Sequence, residues 1–550
     1  MKRHIGIAFF LFLLVFPLGA TCKEQDLPET DKLAATAKIW GFLKYYHPEV
    51  ANGSFDWDKQ LLEKLAGIET IENKKELSVF FLKWIEELGE VPELDFPPEE
   101  SSENLFNKNF DLSWIESGMF SKKLEKKLRS IEQNRYKGNH YYVQPAEQVG
   151  NAIFTNEKEY KSFSWDQKNL RLLALFRYWN QVEYFFPYKY QMDENWDQVL
   201  KEMLPLFLTP ASEMDYQLAM LATVAKLDDA HAYLITPELN KRLGFYWAPV
   251  ELNMIDKQPV VTHFMDKIYA EKDDWKLGDI VLAVNGVPVS DILEKEKRFL
   301  TGSNYRSKHR DIHIPLLNGN TDSVEVLISR NGEELKKKIT RYYRREFRPD
   351  ISNQPWKFLD SNIGYVDLGL LEREDVPRMY EEFKDARGII IDARAYPRGT
   401  WYALANYLQK EDYGIAKSLV PVVDYPGKFR FTETLVIPHD NPDVYEGKVV
   451  LLMDEYTQSQ GEYTIMALQN APNVTTIGRP TAGANGNFSD ISFVGGYTTG
   501  MSGIGVFYPD GRETQRVGIS PDIKVERNIL SIKKGEDEIL NKALDFLKQD

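Results

Sequence analysis

The sequence contains very little cysteine and histidine for its length. One cysteine, Cys22, and eight histidines occur in 550 residues, and neither a C-x-x-C nor an H-E-x-x-H pattern is present. A disulfide needs two cysteines, and zinc sites draw mainly on cysteine and histidine at short, regular spacings. We therefore expect no internal disulfide, no metal centre and no bound cofactor.

Positive charge is also scarce. The chain has 68 lysines and arginines against 83 aspartates and glutamates, a net charge of −15. This balance leaves no broad basic surface and argues against a nucleic-acid partner. The hydrophobic content of 43% and the charged content of 27% are typical of a soluble globular protein. A chain of this length has room for about three domains.

Long hydrophobic runs are limited to residues 5–18, a stretch too short and too close to the N-terminus for a membrane span. Two basic residues precede the run and three small residues, 19–21, follow it. This pattern predicts a signal peptide over residues 1–22 and export to the periplasm or cell envelope, or secretion. Cys22 at the boundary raises a lipoprotein alternative. Thr21 directly before it fits that signal poorly, so we do not favour a lipid anchor.

One aromatic pattern occurs twice in the N-terminal half. Residues 40–48 (WGFLKYYHP) reappear as residues 179–187 (WNQVEYFFP), and the same offset of 139 relates Trp57 to Trp196. A constant offset over several anchors indicates an internal repeat, here of amphipathic helices with aromatic residues in the core. We expect one copy, with a linker, in residues 27–150 and the second in residues 151–240.

The candidate chemistry lies in residues 449–486. Residues 449–453 are a continuous apolar run that predicts a buried strand, and a helical pattern begins at Gly461. Ser459 lies at the turn between them. A rigid strand and a helix N-terminus suit a nucleophile, but polar residues at helix starts are more often caps. The residues alone leave both roles open.

This stretch resembles the core of the C-terminal-processing, or tail-specific, serine peptidases. In that family a G-x-P-T-x-G segment follows the serine motif, as residues 478–483 (GRPTAG) do here, and Ser459 precedes Glu462 as in the family's S-x-S-E pattern. The resemblance implies that Ser459 is the nucleophile. The bacterial branch carries a lysine base after that segment, where this chain has Ala484 and Asn485. The resemblance therefore favours the tricorn-like branch, whose base is a histidine far upstream.

Residues 228–233 (DDAHAY) resemble the segment that carries the base histidine in tricorn-like peptidases. The resemblance implies that His231 accepts the proton of Ser459. A lone histidine near a helix end is otherwise more often structural. The tricorn enzyme has a serine before this histidine, whereas this chain has Ala230. We therefore expect Asp229 or a backbone carbonyl to orient the imidazole.

The remaining chain predicts two further domains. Residues 277–289 (LGDIVLAVNGVPV) closely resemble the central motif of PDZ domains, and the Asn285-Gly286 pair within them predicts a tight hairpin turn. The resemblance implies a PDZ-like domain over residues 243–343 that docks a peptide or protein substrate. The alternation of strands and helices beyond it argues for an α/β core, which the resemblance identifies as the ClpP/crotonase-like protease core. The expected fold is a multidomain α+β protein, and the predicted core elements are a strand at 362–369, a helix at 375–385, a strand at 388–392 and a C-terminal helix within 531–550, with the protease core spanning 355–530.

Two segments complete the expected site. Residues 392–399 (DARAYPRG) resemble the family's D-x-R-x-x-P-G-G loop, although Arg398 replaces the first glycine. The resemblance implies that the amides of Gly399 and Gln460 form the oxyanion hole. Residues 514–523 (TQRVGISPDI) resemble the family's closing signature, which places the tricorn enzyme's orienting glutamate at Gln515. A neutral amide cannot stabilise an imidazolium by charge, so Glu513, on the same predicted strand face, is the alternative orienting residue.

The resemblance thus predicts an exported serine endopeptidase that cleaves peptides or unfolded proteins by acyl transfer to Ser459. The departures at Ala230, Arg398 and Gln515 leave open an inactive peptide- or ligand-binding protein on the same scaffold, as in the retinoid-binding relatives of this core. A cell-envelope scaffold built on the helical repeats is a third alternative.

Overall fold

The computed structural model of the protein describes residues 27–93, 104–348 and 354–549. The predicted signal peptide, including Cys22, lies outside the described residues. The α-helices within them are α1 (Glu29–Tyr46), α2 (Pro48–Ala51), α3 (Trp57–Glu69), α4 (Lys74–Glu87), α5 (Lys122–Gln133), α6 (Lys168–Phe185), α7 (Trp196–Leu208), α8 (Glu213–Ala225), α9 (Pro237–Leu243), α10 (Lys267–Lys272), α11 (Val289–Glu296), α12 (Tyr305–His309), α13 (His313–Leu317), α14 (Val376–Phe383), α15 (Trp401–Ala405), α16 (Gln460–Leu468), α17 (Ile529–Lys533) and α18 (Glu538–Lys548).

The strands are short in the N-terminal half and longer beyond residue 250. They are β1 (Leu105–Phe106), β2 (Val143–Pro145), β3 (Ala152–Phe154), β4 (Leu234–Ile235), β5 (Tyr246–Trp247), β6 (Val250–Ile255), β7 (Gln258–Phe264), β8 (Ile280–Val284), β9 (Val287–Pro288), β10 (Ser323–Arg330), β11 (Glu333–Thr340), β12 (Tyr342–Tyr343), β13 (Trp356–Leu359), β14 (Ile363–Asp367), β15 (Gly388–Asp392), β16 (Tyr413–Pro421), β17 (Phe429–Phe431), β18 (Leu435–Ile437), β19 (Lys448–Met453), β20 (Val474–Gly478), β21 (Phe488–Ser492), β22 (Thr498–Ser502), β23 (Gly505–Phe507) and β24 (Ile523–Lys524). Nowhere in these ranges is a helix both long and apolar enough to cross a lipid bilayer.

The two copies of the N-terminal repeat share one local geometry. The indole N–H of Trp40 donates to the carbonyl of Trp57 at 3.1 Å, and Trp57 donates back to Trp40 at 2.9 Å. Trp179 and Trp196 form the same reciprocal pair at 2.8 and 3.0 Å. In both pairs the ring planes are nearly parallel and their centroids lie 6.5 Å apart. The repeated tryptophans are therefore core residues that satisfy each other's polar groups.

A β-rich unit follows the second copy. Its antiparallel sheet has the order β11-β10-β8-β7-β6, with β9 paired to β8. Strands β5 and β12, at the beginning and the end of the unit, pair with each other. Asn285 and Gly286 form the predicted tight turn between β8 and β9, with φ values of 48° and 77°. Fully buried Trp275 lies in a hydrophobic core of this unit's own. Strand β6 is the edge of the sheet.

The C-terminal core is built on a mostly parallel sheet of order β13-β14-β15-β19-β20-β24, in which only β13 runs antiparallel to its neighbour. Alternate residues of β15 and β19 pack against opposite layers. One face contacts a cluster that includes Ile465 of α16, and the other contacts Leu547 of α18. Strands β15 and β19 and helix α14 agree with the predicted elements.

The helical repeats pack directly on this C-terminal part. Their hydrophobic core is continuous with Leu419, Phe429 and Phe507 from a second sheet of order β1-β17-β16-β18, on which β23 also pairs with β16. Strand β4 pairs with β22 of the C-terminal part, through Leu234 and Thr499. This pairing holds the segment that carries His231 against the core.

Candidate active site

Ser459 occupies a strained turn between β19 and α16. Its φ is 55° and its ψ is −117°, a conformation that residues with a side chain rarely adopt. Its N–H donates to the carbonyl of Ala484 at 2.9 Å, and its own carbonyl accepts from the N–H of Tyr463 at 2.9 Å. A serine held on such a sharp strand-to-helix turn presents its hydroxyl away from the backbone, as nucleophiles on this kind of turn do.

Glu462 supports the same turn from inside the protein. Its buried carboxylate accepts from the N–H groups of Gly483 and Ala484, both at 3.0 Å, and from that of Ser459 at 3.3 Å. It also accepts the hydroxyl of Thr481. Burial raises the pKa of Glu462 to about 7, against the opposing effect of these hydrogen bonds. The carboxylate thus ties the serine turn to the predicted G-x-P-T-x-G segment.

The loop over residues 392–399 lies beside the start of α16. The hydroxyl of Thr457 donates to the carbonyl of Ala393 at 3.0 Å, and a Cβ built on Gly399 would lie 3.7 Å from the side-chain nitrogen of Gln460. Gly399 has a φ of 74°. Among the described residues, neither the Gly399 nor the Gln460 amide N–H donates to another protein group. Backbone N–H groups without a protein acceptor, on a loop and a helix start that adjoin the serine, are of the kind that can bind an oxyanion.

Arg398, which replaces the expected glycine, does not enter the site. Its guanidinium donates to the carbonyl of Gly369 at 2.6 Å and forms an ion pair with Glu372. The substitution therefore leaves the backbone of the loop free to donate.

His231 lies in the segment between α8 and β4. Its Nδ1 is 2.9 Å from the hydroxyl oxygen of Ser502, and its ring stacks on Phe488 with centroids 6.1 Å apart. Its Nε2 is buried and makes no hydrogen bond. Burial lowers the pKa of His231, the charge of Asp229 raises it and the charge of Arg310 lowers it further. The imidazole is thus neutral at neutral pH and has one free lone pair.

The structure brings Ser459 and His231 to one place without joining them. The Ser459 hydroxyl donates to the carbonyl of Gly486 at 3.3 Å, two residues before the Phe488 ring that stacks on His231. The side-chain amide of Gln458 also donates to the carbonyl of Ala230 at 3.1 Å, which links the residues directly before each group. In the described part of the chain no hydrogen bond connects Ser459 to His231.

Glu513, expected as an alternative orienting residue, makes its contacts with residues other than His231. Its carboxylate accepts from the Tyr190 hydroxyl at 2.7 Å and from the Gln191 amide at 2.5 Å, with Lys108 at 3.7 Å. Residues 515–517 form a turn rather than a strand, and Arg516 has a φ of 65°. The alternation that would have placed Glu513 and Gln515 on one face is therefore absent.

Gln515 reaches the site through another residue. Its amide donates to Asp229 at 3.3 Å, and no hydrogen bond of the described chain joins it to His231. Asp229 is the residue that we expected as a possible partner of the imidazole. Its nearer carboxylate oxygen lies 3.9 Å from His231 Nδ1, which is too far for a direct hydrogen bond. Ser502 was not foreseen. The sequence around Ser502 gives no local indication that this residue contacts His231, which lies 271 positions away.

Comparison with known proteins identifies the core. Residues 362–525 match the model of peptidase family S41. The match covers 164 of the 550 residues. The match confirms the resemblance to the tail-specific serine peptidases, and the peptidases of family S41 are serine hydrolases. No curated protein matches the chain in sequence.

Several solved structures are similar to this chain. Mature CPAF in complex with lactacystin has a TM-score of 0.53 at 14% identity and covers 70% of this chain and 98% of its own. A putative peptidase from Parabacteroides merdae has a TM-score of 0.43 at 15% identity, covering 69% and 96%. The photosystem II D1 C-terminal processing protease has a TM-score of 0.40 at 16% identity, covering 67% and 98%. At these identities the similarity to CPAF shows a common fold.

The described residues contain no group of three or more histidine, cysteine, aspartate or glutamate side chains placed to hold a metal ion. The polar groups that converge near Ser459 are instead a hydroxyl, an imidazole and backbone amides. These groups suit acyl transfer.

Proposed function

We propose that this protein is an exported serine endopeptidase of the tricorn-like type, with Ser459 as nucleophile and His231 as general base. The strained backbone of Ser459 is the observation that carries the proposal. A left-handed conformation at a serine costs free energy that a helix cap does not require, and such strain concentrates at functional sites. Free amides on one side and an unpaired imidazole nitrogen on the other complete the arrangement.

The reaction follows from these groups. The Ser459 hydroxyl rotates away from Gly486, passes its proton to His231 Nε2 and attacks the peptide carbonyl. The N–H groups of Gly399 and Gln460 stabilise the oxyanion, because negative charge develops there only in the transition state. The C–N bond breaks as His231 returns the proton to the leaving amine. Water, activated by His231, then hydrolyses the acyl ester.

The β-rich unit is proposed as the PDZ-like docking domain. A cavity of about 660 Å³ lies between the edge strand β6, the helix α12 and the S41 core. Asn253, Met254 and Ile255 line it on the strand side, and Arg306 and His309 line it on the helix side. An extended peptide can add to an open strand edge through main-chain hydrogen bonds, which makes this groove the docking site of choice.

Export rests on the leader pattern of residues 1–22. Amino-terminal sequencing of the mature protein tests this part of the proposal. We expect a new N-terminus close to residue 22, and a retained Met1 in the fractionated native protein would contradict export by cleavage.

Two observations favour the non-catalytic alternative. The Ser459 hydroxyl bonds to Gly486 rather than to His231, and position 515 lacks the charged residue of the tricorn enzyme. A protein that only binds peptides or ligands on this scaffold needs no activated serine. In unliganded enzymes, however, hydrogen bonds of the catalytic groups are often loose and tighten with substrate.

A fluorophosphonate probe separates the two functions. We expect wild-type protein to be labelled, and Ser459→Ala and His231→Ala proteins to be unlabelled or labelled at least about 100-fold more slowly. Ser489→Ala is the matched control, because Ser489 is a buried serine that donates to Ala152 outside the site. Absence of labelling in folded wild type, or equal peptide cleavage by wild type and Ser459→Ala, would refute the peptidase function.

A further inference from the structure

The carboxylate of Asp229 is the centre of a buried hydrogen-bond network beside His231. It is 1% exposed. One oxygen accepts from the Ser502 N–H at 2.6 Å, and the other accepts from the Ser502 hydroxyl at 3.0 Å, from the His231 N–H at 3.1 Å and from the Gln515 amide at 3.3 Å. All four contacts come from donor groups, as an ionised carboxylate, which only accepts hydrogen bonds, requires.

The direction of these bonds determines the tautomer of His231. Because Asp229 can only accept, the hydroxyl proton of Ser502 must point toward it. The Ser502 oxygen then has only lone pairs to offer to His231 Nδ1, 2.9 Å away. Nδ1 therefore carries the imidazole proton, and the buried, unpartnered Nε2 carries the lone pair. This is the tautomer that a general base facing Ser459 requires.

We propose that Asp229, acting through the hydroxyl of Ser502, is the acidic residue that orients His231 and stabilises its imidazolium form. It takes the place of an acidic residue at position 515. The proposal rests on the peptidase function proposed above. Asp229 and Ser502 are positioning residues, because neither contacts the reacting atoms.

Only one proton moves in this step, from Ser459 to His231. The Ser459 proton moves to His231 Nε2 as Ser459 attacks, and the imidazole becomes an imidazolium. Nδ1 keeps its proton and its bond to Ser502, and Ser502 keeps its own proton on the bond to Asp229. The buried negative charge of Asp229 stabilises the imidazolium, while Arg310 opposes it. No proton is transferred to Asp229.

Gln515 fits this arrangement because it is neutral. Its amide donates to Asp229, whereas a glutamate of similar length would place a second carboxylate against the first. The difference from the tricorn enzyme at position 515 thus accompanies a change in which residue supplies the acid.

Labelling rates with a fluorophosphonate probe provide the first test. We expect Ser502→Ala to react about 10- to 100-fold more slowly than wild type, and the isosteric Asp229→Asn about 100-fold or more slowly. The double variant should react no more slowly than Asp229→Asn, since both changes interrupt one chain of bonds. Ser489, a buried serine in β21, provides the control, and Ser489→Ala should react as wild type does. Wild-type rates in both Ser502→Ala and Asp229→Asn would overturn the proposal.

The pH dependence of the labelling rate distinguishes an effect of Asp229 on the charge of His231 from a purely structural role. Asp229 and Arg310 are the charged groups that act on His231. Removing the charge of Asp229 removes a stabiliser of the imidazolium, so the midpoint of labelling in Asp229→Asn should move to lower pH. A lower rate with an unchanged midpoint would indicate a structural role and would contradict the proposal.

Nitrogen-15 NMR of histidine-labelled protein tests the tautomer without using activity. Wild-type His231 should be protonated on Nδ1, and Ser502→Ala should lose that preference. Protonation of wild-type His231 on Nε2 would overturn the relay even if the enzyme is active. Conversely, unlabelled wild type with the Nδ1–H tautomer would refute the peptidase function and leave the relay geometry intact.

Gln515→Glu tests the exchange of the acid. We expect this variant to react at least about 10-fold more slowly, because two carboxylates would compete for one buried space. Faster labelling by Gln515→Glu would show that position 515 remains the natural site of the acid and would contradict the proposal.

Discussion

At the scale of single residues, Ser459 has a backbone conformation that only glycine adopts freely. Substitution by glycine should relieve the strain, whereas substitution by alanine keeps it. We therefore expect Ser459→Gly to be more stable than Ser459→Ala by about 1–2 kcal/mol in chemical denaturation, although both lack the hydroxyl.

Ser489 provides the control for this comparison. It lies in β21 and has no positive φ. There glycine should be the less stable replacement, by about 0.5–1 kcal/mol relative to alanine. The same order of stability at both positions would indicate that Ser459 is not strained.

Glu462 predicts a pH-dependent stability at the same turn. Burial raises its pKa from 4.5 to about 7 in the folded protein. Its contribution is therefore fully present below about pH 4.5 and is lost as the pH rises through about 7. Relative to Glu462→Gln, the free energy of unfolding of wild type should fall by about 3 kcal/mol over this range.

Denaturant titrations of both proteins between pH 4 and pH 8 measure this difference, and the titrations of other groups cancel in the comparison. A pH-independent difference would mean that the hydrogen bonds from Gly483 and Ala484 keep Glu462 ionised throughout.

At the scale of elements, the two repeat copies are related by an approximate two-fold axis. Arg177 of the second copy pairs with Asp58 of the first at 2.6 Å, and the equivalent Lys38 pairs with Asp197 at 2.6 Å. The equivalent positions 41 and 180 meet near this axis, because a Cβ on Gly41 would lie only 1.8 Å from the amide oxygen of Asn180.

This symmetry predicts that the two residues can be exchanged. Asn180 donates to the carbonyls of Ala37 and Phe176, which are themselves equivalent in the two copies. Gly41→Asn alone should destabilise the protein by about 3 kcal/mol or more through overlap, and Asn180→Gly by about 2 kcal/mol through lost hydrogen bonds. The double variant should recover most of the loss, because an asparagine side chain at position 41 can reach the same two carbonyls.

Chemical denaturation of the two single variants and the double variant measures the coupling. Additive losses in the double variant would contradict the two-fold relation at this contact.

At the scale of the whole molecule, the helical repeats and the S41 core share one hydrophobic core, while the β-rich unit has its own. We expect Trp40→Phe, in α1, to lower hydrogen-exchange protection both in the repeats and in β16 and β17. The matched change Trp275→Phe removes an indole that is equally buried in the β-rich unit. It should lower protection only within residues 246–343.

Mass spectrometry of exchanged peptides measures both effects. Unchanged protection of Tyr413–Pro421 in Trp40→Phe would mean that the repeats form an independent domain.

The local and periodic features of this protein followed from its sequence. Continuous apolar runs predicted β15 and β19, the Asn285-Gly286 pair predicted a hairpin turn, and a constant offset predicted the repeat. Local chemistry determines these features, because burial of an apolar run and the φ preferences of turn residues act over a few positions. The strand, turn and helix around Ser459 are contiguous, so its position at the turn followed from the sequence too, whereas its role as nucleophile is a prediction from the family resemblance.

Only the tertiary structure decided which groups meet at the serine. The pairing of strands β4 and β22 brings His231 onto the core. The turn at residues 515–517 places Glu513 against Tyr190 and Gln515 against Asp229. Ser502 contacts His231 across 271 positions of sequence. Such contacts depend on register and turn geometry far from the residues concerned, and a one-residue change in either alters which side chain faces the site.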